Sequence, residues 1–482
     1  TTRQVGFPED VQPKATLAFD AGSVTNRRMF HFFIDMRWLF QSEYIHHKMR
    51  TEPRYLLQFL DLVKLHQGIC PNVRAVGDHV EYESDAWISA SLIIKEIDRL
   101  SKAVASSFEP KSPEVDASLQ RAIRTTAQVT MINAFGYERK RFHAHEIKDD
   151  MAWHTIGPFE ENGRTYSVPK FVVLTEAMSF HHPMHYLLSW LIENAKHMSR
   201  TEMRALLHFT PEDLKDPYNA TRGAPAPRTL TPDELLSSIF DHPLRLCAWL
   251  SQMKANIWVR NGITLRHQAH TYRSVSVRDI SYQRDLFMLQ AGLVLCGSDD
   301  EQPGERFLAQ MIDRFQITNW VKHEYAPVEG IEESQQIDIL EDFFHLLVIA
   351  LCERGNLAVP VQGENQFDKI LQHDIAHALC FKPLSFSDLN TRVTEKIADS
   401  DSFQRVLEDM TVFRAPEGMS DTGTFELKPE FIEMVDPYYA HYSRNHREEA
   451  ENVHKKHVIG CRGIGLCYRG RCRRSEAWAD SH

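Results

Sequence analysis

The sequence contains 482 residues, with 55 Lys and Arg against 66 Asp and Glu, and its formal net charge is −11 at pH 7. This acidic balance argues against non-specific nucleic-acid binding by the whole chain, and the length suffices for two to four domains. No apolar run approaches membrane-spanning length, and none of the eight cysteines forms a CxxC pair. We therefore expect a protein of the reducing cytoplasm or nucleus that contacts no membrane.

Helical periodicity dominates residues 1–215, which we predict to be the first part of an elongated helical scaffold. Thr165–Val168 has the composition of a short strand, and residues 216–232, rich in Pro and polar residues, are predicted to be a linker. The predicted helices cover Arg27–Leu65 with a break at Pro53, Val80–Leu100, Ser118–Phe135, Leu174–Ile192 and Arg200–Phe209.

The most strongly periodic stretch, His242–Leu295, lies in the second part of the scaffold, residues 233–360. Its first helix is predicted to end at Asn261-Gly262, because glycine accepts the left-handed conformation found at helix C-termini. A polar connector leads to a second helix, with Ser281 as N-cap and Gly297 just past its end. The apolar residues that define the two helices are Leu246, Leu250, Met253 and Ile257, then Tyr282, Leu286, Leu289 and Leu293.

Polar residues at the helix ends of the scaffold are interpreted as structural. Thr210 and Thr231 each precede a Pro at N1 and an acid at N3, the pattern of a capped helix start. Charged residues within the 242–295 stretch are predicted to be caps and ion pairs rather than catalytic groups. These residues are Arg260, Asn261, Arg278, Asp279, Arg284 and Asp285, and further helices are predicted over Asp233–Phe240, Pro303–Val321 and Ile337–Glu353.

Residues 364–435 have the pattern of a winged helix, three helices followed by a two-stranded wing. The wing strands, Thr411–Arg414 and Thr424–Leu427, flank a turn rich in Gly, Ser and Asp. The first helix carries an apolar face and ends before Pro383, the second covers Ser387–Val393, and the third covers Ser402–Met410. The face of the first helix consists of Phe367, Ile370, Leu371, Ile375 and Leu379, and the residues of the third helix predicted to point inward are Phe403, Val406, Leu407 and Met410.

A winged helix can bind DNA through its third helix. Here that helix carries Arg405 but also Asp401, Glu408 and Asp409, and acidic side chains repel phosphate. We therefore favour a winged helix that binds protein. Nucleic-acid binding, or an interaction scaffold without an enzymatic role, is the alternative.

The chain ends in a polar helix and a basic, Gly-rich tail. The helix is predicted over Tyr439–Lys456, within residues 436–458, and the tail covers residues 459–482. Cys461, Cys467 and Cys472 in the tail are loosely spaced, whereas a structural zinc site takes four ligands in closely spaced pairs. The tail is predicted to be disordered, and the fold class is mainly α.

Two histidine groups have spacings that a metal site could use. His181, His182 and His185 lie in one apolar segment, but Pro183 interrupts the helical register, so buried, hydrogen-bonded histidines are preferred. His373 and His377 flank Asp374 in an HDxxH arrangement similar to the HExxH motif of zinc hydrolases, without an evident third ligand. No metal or cofactor is predicted in this chain, and a zinc hydrolase is a third hypothesis.

Several segments resemble the UBR-family N-recognins, the E3 ubiquitin ligases of the Arg/N-degron pathway, and are most similar to the large fungal ligases. They follow the order of the family and extend to about Lys456. The segments are Leu60–Glu83, Ser179–Glu193, PLRLCAWLSQMKANIWVRNG and YQRDLFMLQ of the 242–295 stretch, Leu351–Gly355 and Asp436–Glu451.

The resemblance implies the middle of a RING-type ligase of the N-end rule pathway. The zinc-binding UBR box and the ClpS-like domain, which hold the degron pockets, would precede this chain, and the RING would follow it. N-degron substrates would bind through those domains, with an E2 enzyme and the proteasome pathway as further partners. This chain alone is expected to be inactive, and zinc belongs to the UBR box and the RING.

In the family, the segment after the winged helix binds the E2 ubiquitin-conjugating enzyme. An alternative that stays open is that its aromatic residues dock the helix on the winged helix. The sequence departs from the family after Lys456, and Gly460–His482 is similar to frame-shifted or non-coding sequence. By resemblance, the candidate E2-binding residues are Tyr438, Tyr439, His441, Tyr442, Arg444, Arg447, Glu448 and Glu451.

Overall fold

A computed structural model shows the chain as two compact units, the scaffold unit Thr1–Val359 and the winged-helix unit Pro360–His482. None of the helices within the described ranges has the length and apolar composition that crossing a bilayer requires. The structure describes residues 24–68, 73–75, 80–82, 85–109, 112–134, 152–176, 178–214, 230–258, 262–274, 277–297, 301–325, 328–353, 357, 366–393, 401–416, 418 and 422–463.

The scaffold unit is mainly helical, with two short antiparallel hairpins in its described part. Its helices are α1 (Val24–Leu39), α2 (Glu43–Thr51), α3 (Pro53–Val63), α4 (Asp85–Ser106), α5 (Pro113–Ala134), α6 (Pro183–Asn194), α7 (Arg200–Leu207), α8 (Pro232–Ile239), α9 (Asp241–Lys254), α10 (Gly262–Arg273), α11 (Tyr282–Leu295), α12 (Glu305–Arg314), α13 (Thr318–Val321) and α14 (Glu333–Cys352). The hairpin strands are β1 (Val73–Ala75) with β2 (Val80–Tyr82), and β3 (Trp153–Ile156) with β4 (Tyr166–Pro169).

The core of the scaffold unit forms around α4 and α6. Helix α4 packs against α1 and α6, and α5 packs against α6 and α7. The facing side chains are aliphatic and have no exposed surface, as for Ile97 and Leu100 on α4 and Leu187 and Leu191 on α6. Burying each such side chain contributes about 1.5–3 kcal/mol, so apolar packing, more than helix propensity, holds these helices in place.

Two helices of this unit begin later than the periodicity predicts. Helix α6 starts at Pro183 rather than near Leu174, since proline lacks the N–H donor that a helix interior requires. Met178 and Phe180 are buried without being helical, so the apolar run does not mark the start of the helix. Val80 lies in β2, and α4 begins only at Asp85.

The stretch predicted to hold two helices holds three. Helix α9 ends at Lys254, and Asn256, with a φ of +60°, supplies the left-handed residue, so the predicted stop at Asn261-Gly262 is wrong. Gly262 instead begins α10, which occupies the predicted polar connector. Leu265 and Tyr272 of α10 are buried seven residues apart, on a helix in which most residues are polar.

Helix α11 begins after Ser281 as predicted, and Gly297, with a φ of +128°, follows its end. The Ser281 hydroxyl does not cap the helix, because it donates to the carbonyls of Tyr272 and Val277 at 2.8 and 2.7 Å. The seryl group therefore ties the start of α11 to the end of α10.

The predicted capping box at Thr231 is confirmed. The Thr231 hydroxyl accepts from the Glu234 backbone N–H, and the Glu234 carboxylate accepts from the Thr231 backbone N–H. At Thr210 the Asp213 carboxylate makes the corresponding contact, but residues 211–214 form a turn rather than a helix. The predicted helix Pro303–Val321 is likewise divided into α12 and α13.

Charged residues of the 242–295 stretch form the ion pairs that the sequence predicts. Arg284 pairs with Glu193, and Asp279 lies 3.2 Å from Lys102. Asp285 differs, because its carboxylate accepts a hydrogen bond from the Tyr272 hydroxyl. Arg260 and Asn261 lie outside the described residues, as does most of the predicted linker 216–232.

In the described part of the winged-helix unit, helices pack on a three-stranded antiparallel sheet of order β5-β7-β6. The sequence predicted the two wing strands, which are confirmed, but missed β5, whose two residues pair with the start of β7. The elements are α15 (Gln366–Leu379), β5 (Leu384–Ser385), α16 (Phe386–Asn390), α17 (Asp401–Met410), β6 (Thr411–Arg414), β7 (Thr424–Leu427) and α18 (Arg444–Gly463).

The apolar face of α17 fills the core of this unit, and Phe403, Val406, Leu407 and Met410 are buried as predicted. Beyond the wing, α18 begins at Arg444 rather than at Tyr439, and it continues to Gly463. Residues 459–463 of the predicted disordered tail are therefore helical. Cys467 and Cys472 lie outside the described residues.

Candidate functional site

The segment 436–443 crosses α15 before α18 begins. The backbone N–H of Asp436 donates to Nε2 of His377 at 2.9 Å. The Asp436 carboxylate in turn accepts from the backbone N–H of Tyr438 at 2.8 Å, which closes a turn. These bonds fix the direction in which the chain approaches the helix.

Tyr439 docks this segment on α15. Its side chain is buried, and its hydroxyl donates to Oδ1 of Asp374 at 2.9 Å. The ring lies 4.2 Å from that of His377 between centroids. Because a buried hydroxyl needs a hydrogen-bond partner, Asp374 serves to hold Tyr439 in place.

Tyr442 makes the second docking contact. Its hydroxyl donates to the backbone carbonyl of His377 at 3.0 Å and lies 3.2 Å from Sγ of Cys380. Burial, together with the neighbouring thiol, raises the pKa of Tyr442 well above its usual range. Burial also raises the pKa of Cys380 to about 11, so the thiol stays protonated and unreactive at neutral pH.

Helix α18 then presents charged side chains to solvent. Arg444 lies 3.8 Å from Glu448, and Lys455 lies 3.1 Å from Glu451, each pair one helical turn apart. Exposed pairs of this kind contribute about 0–1 kcal/mol to stability. The printed pairs therefore contribute little to the stability of the fold.

The eight candidate residues differ in exposure: two tyrosines are buried anchors, and the other six are exposed or partly buried. Tyr439 and Tyr442 belong to the core of the unit, so the docking interpretation is favoured for these two. Binding of an E2 stays a prediction for the others. Tyr438, Arg444 and Glu448 are exposed, whereas His441, Arg447 and Glu451 are partly buried.

Two exposed residues of α18 were not among the candidates. Asn452 and Lys455 continue the line of Arg444 and Glu448 along α18 at intervals of three or four residues. The helical period, applied from Arg444 onward, would have found them.

The HDxxH arrangement does not have the geometry of a zinc site. His377 donates through Nδ1 to the carbonyl of His373 at 2.8 Å and accepts through Nε2 from Asp436, so both ring nitrogens are used. Burial, with His373 nearby, lowers the pKa of His377 to about 3 and keeps its ring neutral. Within the described residues, no group of three or more His, Cys, Asp or Glu is placed to hold a metal ion.

In the earlier histidine group, His182 and His185 are buried and hydrogen-bonded, as predicted, and His181 is partly buried. The Gln67 side-chain amide donates to Nδ1 of His185 at 2.8 Å and to Nδ1 of His182 at 3.3 Å. The Gln67 carbonyl oxygen accepts from the backbone N–H of Met184 at 2.9 Å. Gln67 thus fixes the first turn of α6. Burial also lowers the pKa of the neighbouring His181 to about 3.

Helix α17 carries more acidic than basic side chains. Its one basic residue, Arg405, pairs with Asp368 of α15. Glu408 and Asp409 are exposed on the same helix. An approaching phosphate would meet these carboxylates beside the pair, and a protein partner rather than DNA stays a prediction for this helix.

Two protein-family models match most of the chain. The UBR1/2/3-like ARM repeat domain matches residues 4–346. The E3 ubiquitin-protein ligase UBR1-like winged-helix domain matches residues 370–460. The two matches coincide with the scaffold helices and with the winged helix and α18.

Curated relatives are similar over nearly the whole chain. E3 ubiquitin-protein ligase ubr1 of Schizosaccharomyces pombe is 30% identical over 468 residues, which cover 95% of this chain and 21% of the relative. UBR1 of Drosophila melanogaster is 26% identical over 84% of this chain and 20% of the relative, and UBR2 of Mus musculus is 24% identical over 89% and 22%. The chain spans about a fifth of the length of these relatives.

Proposed function

The chain belongs to the UBR1/2/3-like family, and from this premise we propose that it is the scaffold portion of a RING-type E3 ubiquitin-protein ligase of the N-degron pathway. The observation that carries the proposal is the exposed, mixed-charge face of α18. Tyr439 and Tyr442 anchor the segment before this helix to the winged helix. In this arrangement, Arg444 and Glu448 are the first charges that a docking E2 enzyme would meet.

The proposed chemistry requires positioning rather than a catalytic side chain. In a RING-type ligase, a substrate lysine attacks the thioester between ubiquitin and the E2, and the thiol of the E2 is the leaving group. The ligase accelerates this step by holding the two reactants close together, which can supply about 7–11 kcal/mol of the barrier. Rigid helices suit this role, because displacement of a docking site weakens the proximity effect.

Substrate recognition in this proposal belongs to a UBR box and a ClpS-like domain outside this sequence, and the modified substrate passes to the proteasome. The lack of paired cysteines in the sequence fits a protein of the reducing cytoplasm or nucleus.

Cys247 and Cys296 form no disulfide and are buried, and burial raises the pKa of Cys247 to about 12. Neither of these two thiols has the exposed thiolate that a covalent ubiquitin intermediate would need, and the proposal assigns no such intermediate to the exposed Cys352.

The first test is E2 binding by the full chain, measured by biolayer interferometry against a panel of purified E2 enzymes. The double variant Arg444→Glu with Glu448→Arg keeps the net charge and the helical pair but exchanges the charges presented to a partner. We expect it to weaken E2 binding at least about tenfold.

The matched control is the double variant Arg414→Glu with Glu426→Arg, which exchanges another exposed ion pair of the same unit. Its E2 affinity is expected to stay within about twofold of the wild type. The proposal fails if no E2 in the panel binds, or if both charge exchanges weaken binding equally.

A second test uses the chain with E1, E2, ubiquitin and ATP. The chain alone should remain unmodified, because no CxxC pair of a RING occurs in its sequence. Robust autoubiquitylation would contradict its assignment as the scaffold portion.

A further inference from the structure

Helix α14 of the scaffold unit is apolar on two faces. Its inner face buries Ile339, Phe343 and Leu346 against the unit. Its outer face exposes Ile337 by 59%, Phe344 by 48% and Leu351 by 64%. A helix that only covers a core would carry polar residues on the outer side, so the second face needs another explanation.

The three outer residues form one stripe. They recur every seven residues, which rotates successive positions by only about 20° around a straight helix. The half-buried Val348 follows Phe344 by four residues and precedes Leu351 by three, which places it on the same side of the helix. The exposed Trp320 packs edge-on against Phe344 with ring centroids 5.9 Å apart. The stripe runs for about 21 Å, long enough for a partner helix of four turns.

The charged side chains of α14 are all acidic. The helix contains Glu333, Asp338, Glu341 and Asp342 and no Lys or Arg. Glu333, Asp338 and Glu341 are exposed, and Asp342 pairs with Lys254 of α9 at 2.8 Å. A helix docked on the stripe would therefore be attracted by basic residues beside its apolar positions.

We infer that the outer face of α14 is a docking surface for a basic amphipathic helix of a partner protein, with apolar residues at heptad spacing and Lys or Arg beside them. A second copy of this helix is a poorer occupant, because it brings no cation to meet the acids. This surface lies on the scaffold unit, and the inference does not depend on the proposed ligase function.

The experiment measures peptide binding to the full chain by fluorescence anisotropy. Three synthetic 21-residue peptides are used: one with Leu at heptad spacing and Lys and Arg beside it, one with Glu in place of those cations, and a scrambled basic peptide of the same composition. The basic amphipathic peptide is expected to bind, and to bind less tightly as salt is added. The other two are expected to bind at least about tenfold more weakly.

The variant with Phe344→Ser and Leu351→Ser tests the location. Both side chains are exposed, so the fold should persist, and circular dichroism checks this. Binding of the basic peptide is expected to fall at least about tenfold. The control variant, Leu57→Ser, removes a comparably exposed apolar side chain from α3 of the same unit and should leave affinity within about twofold.

Three outcomes would overturn the inference. The basic and acidic peptides could bind equally, the control could weaken binding as much as the α14 variant, or no peptide could bind. Sedimentation equilibrium adds a fourth. A dimer of the chain that the Phe344→Ser and Leu351→Ser changes dissociate would identify a second copy as the occupant instead.

Discussion

Asp241 at the start of α9 and Asp285 in the first turn of α11 are both buried, with 0% and 1% exposure, yet they ionise in opposite ways. Burial alone would raise the pKa of either carboxyl. At Asp241 the guanidinium groups of Arg245 and Arg314 outweigh burial and lower the pKa to about 2. At Asp285 burial prevails and raises the pKa to about 7.

The partners explain the difference. Arg314 donates to Oδ1 of Asp241 through Nη2 at 2.6 Å, and Gln310 donates to the same oxygen at 2.8 Å. Asp285 receives hydrogen bonds from the phenols of Tyr272 and Tyr186, which carry no charge. A buried carboxylate thus stays ionised where a cation reaches it, and phenols alone do not offset its desolvation.

The largest effect is expected from Arg314→Met, which removes one of the two cations at Asp241. Because a buried charge is left incompletely paired, we expect a loss of about 3–5 kcal/mol in the free energy of unfolding, measured by urea denaturation. The control Arg164→Met breaks a partly exposed pair with Glu305 and should cost about 1 kcal/mol or less. Equal losses in the two variants would contradict the role assigned to Arg314.

The next effect concerns pH and Asp285. Above its unfolded pKa of 3.8, the unfolded chain releases the proton that the folded chain keeps until about pH 7, so stability falls as pH rises through this range. Between pH 5 and pH 7, Asp285→Asn should remove about 2–3 kcal/mol of this fall.

The measurement compares urea midpoints of the wild type and Asp285→Asn across that range. Burial, and after it the neighbouring Asp285, raise the pKa of Asp98, so Asp98 contributes a fall of the same sign, and the difference between the two profiles reports Asp285 together with its effect on Asp98. Parallel profiles would show that Asp285 ionises normally in the folded chain. Asp241 acts with the opposite sign, since its contribution is lost only as pH falls from about 4 towards 2.

The smallest effect is expected from Tyr272→Phe. Loss of its hydroxyl removes a donor to the Asp285 carboxyl and should cost about 1 kcal/mol, with a larger loss above pH 7 where the carboxylate is charged. Tyr55→Phe, which removes a phenol that accepts from Arg54 at the surface, is the control and should change the urea midpoint little. A pH-independent loss would contradict the assigned contact.

Periodicity predicted most helices of this chain but not all of them. It failed at α10, where Leu265 and Tyr272 are buried but most residues of the segment are polar, so the pattern predicts a connector there. It also extended the predicted helix at Leu174–Ile192 too far back. Met178 and Phe180 there are buried although their backbone is not helical. An apolar run of this kind cannot be told from the start of a helix by periodicity alone.

The candidate site shows the same limit. The eight candidate E2-binding residues lie close together in sequence, within Tyr438–Glu451, and the family resemblance identified all of them together. Their division into anchor and exposed face depends on α15, whose contacts with Tyr439 and Tyr442 join residues 65 positions apart. The sequence of the segment alone cannot show which of its residues contact α15, because α15 is distant in sequence.

The sequence by itself determined the mainly helical fold, the apolar face of α17, the two wing strands and the family, because each depends on residues a few positions apart or on their order along the chain. Only the tertiary structure decided which buried acid is ionised. Arg314 reaches Asp241 across 73 residues, and Tyr186 reaches Asp285 across 99. The physical reason is that desolvation and ion pairing depend on neighbours in space, whereas periodicity reports only which side of a helix is buried.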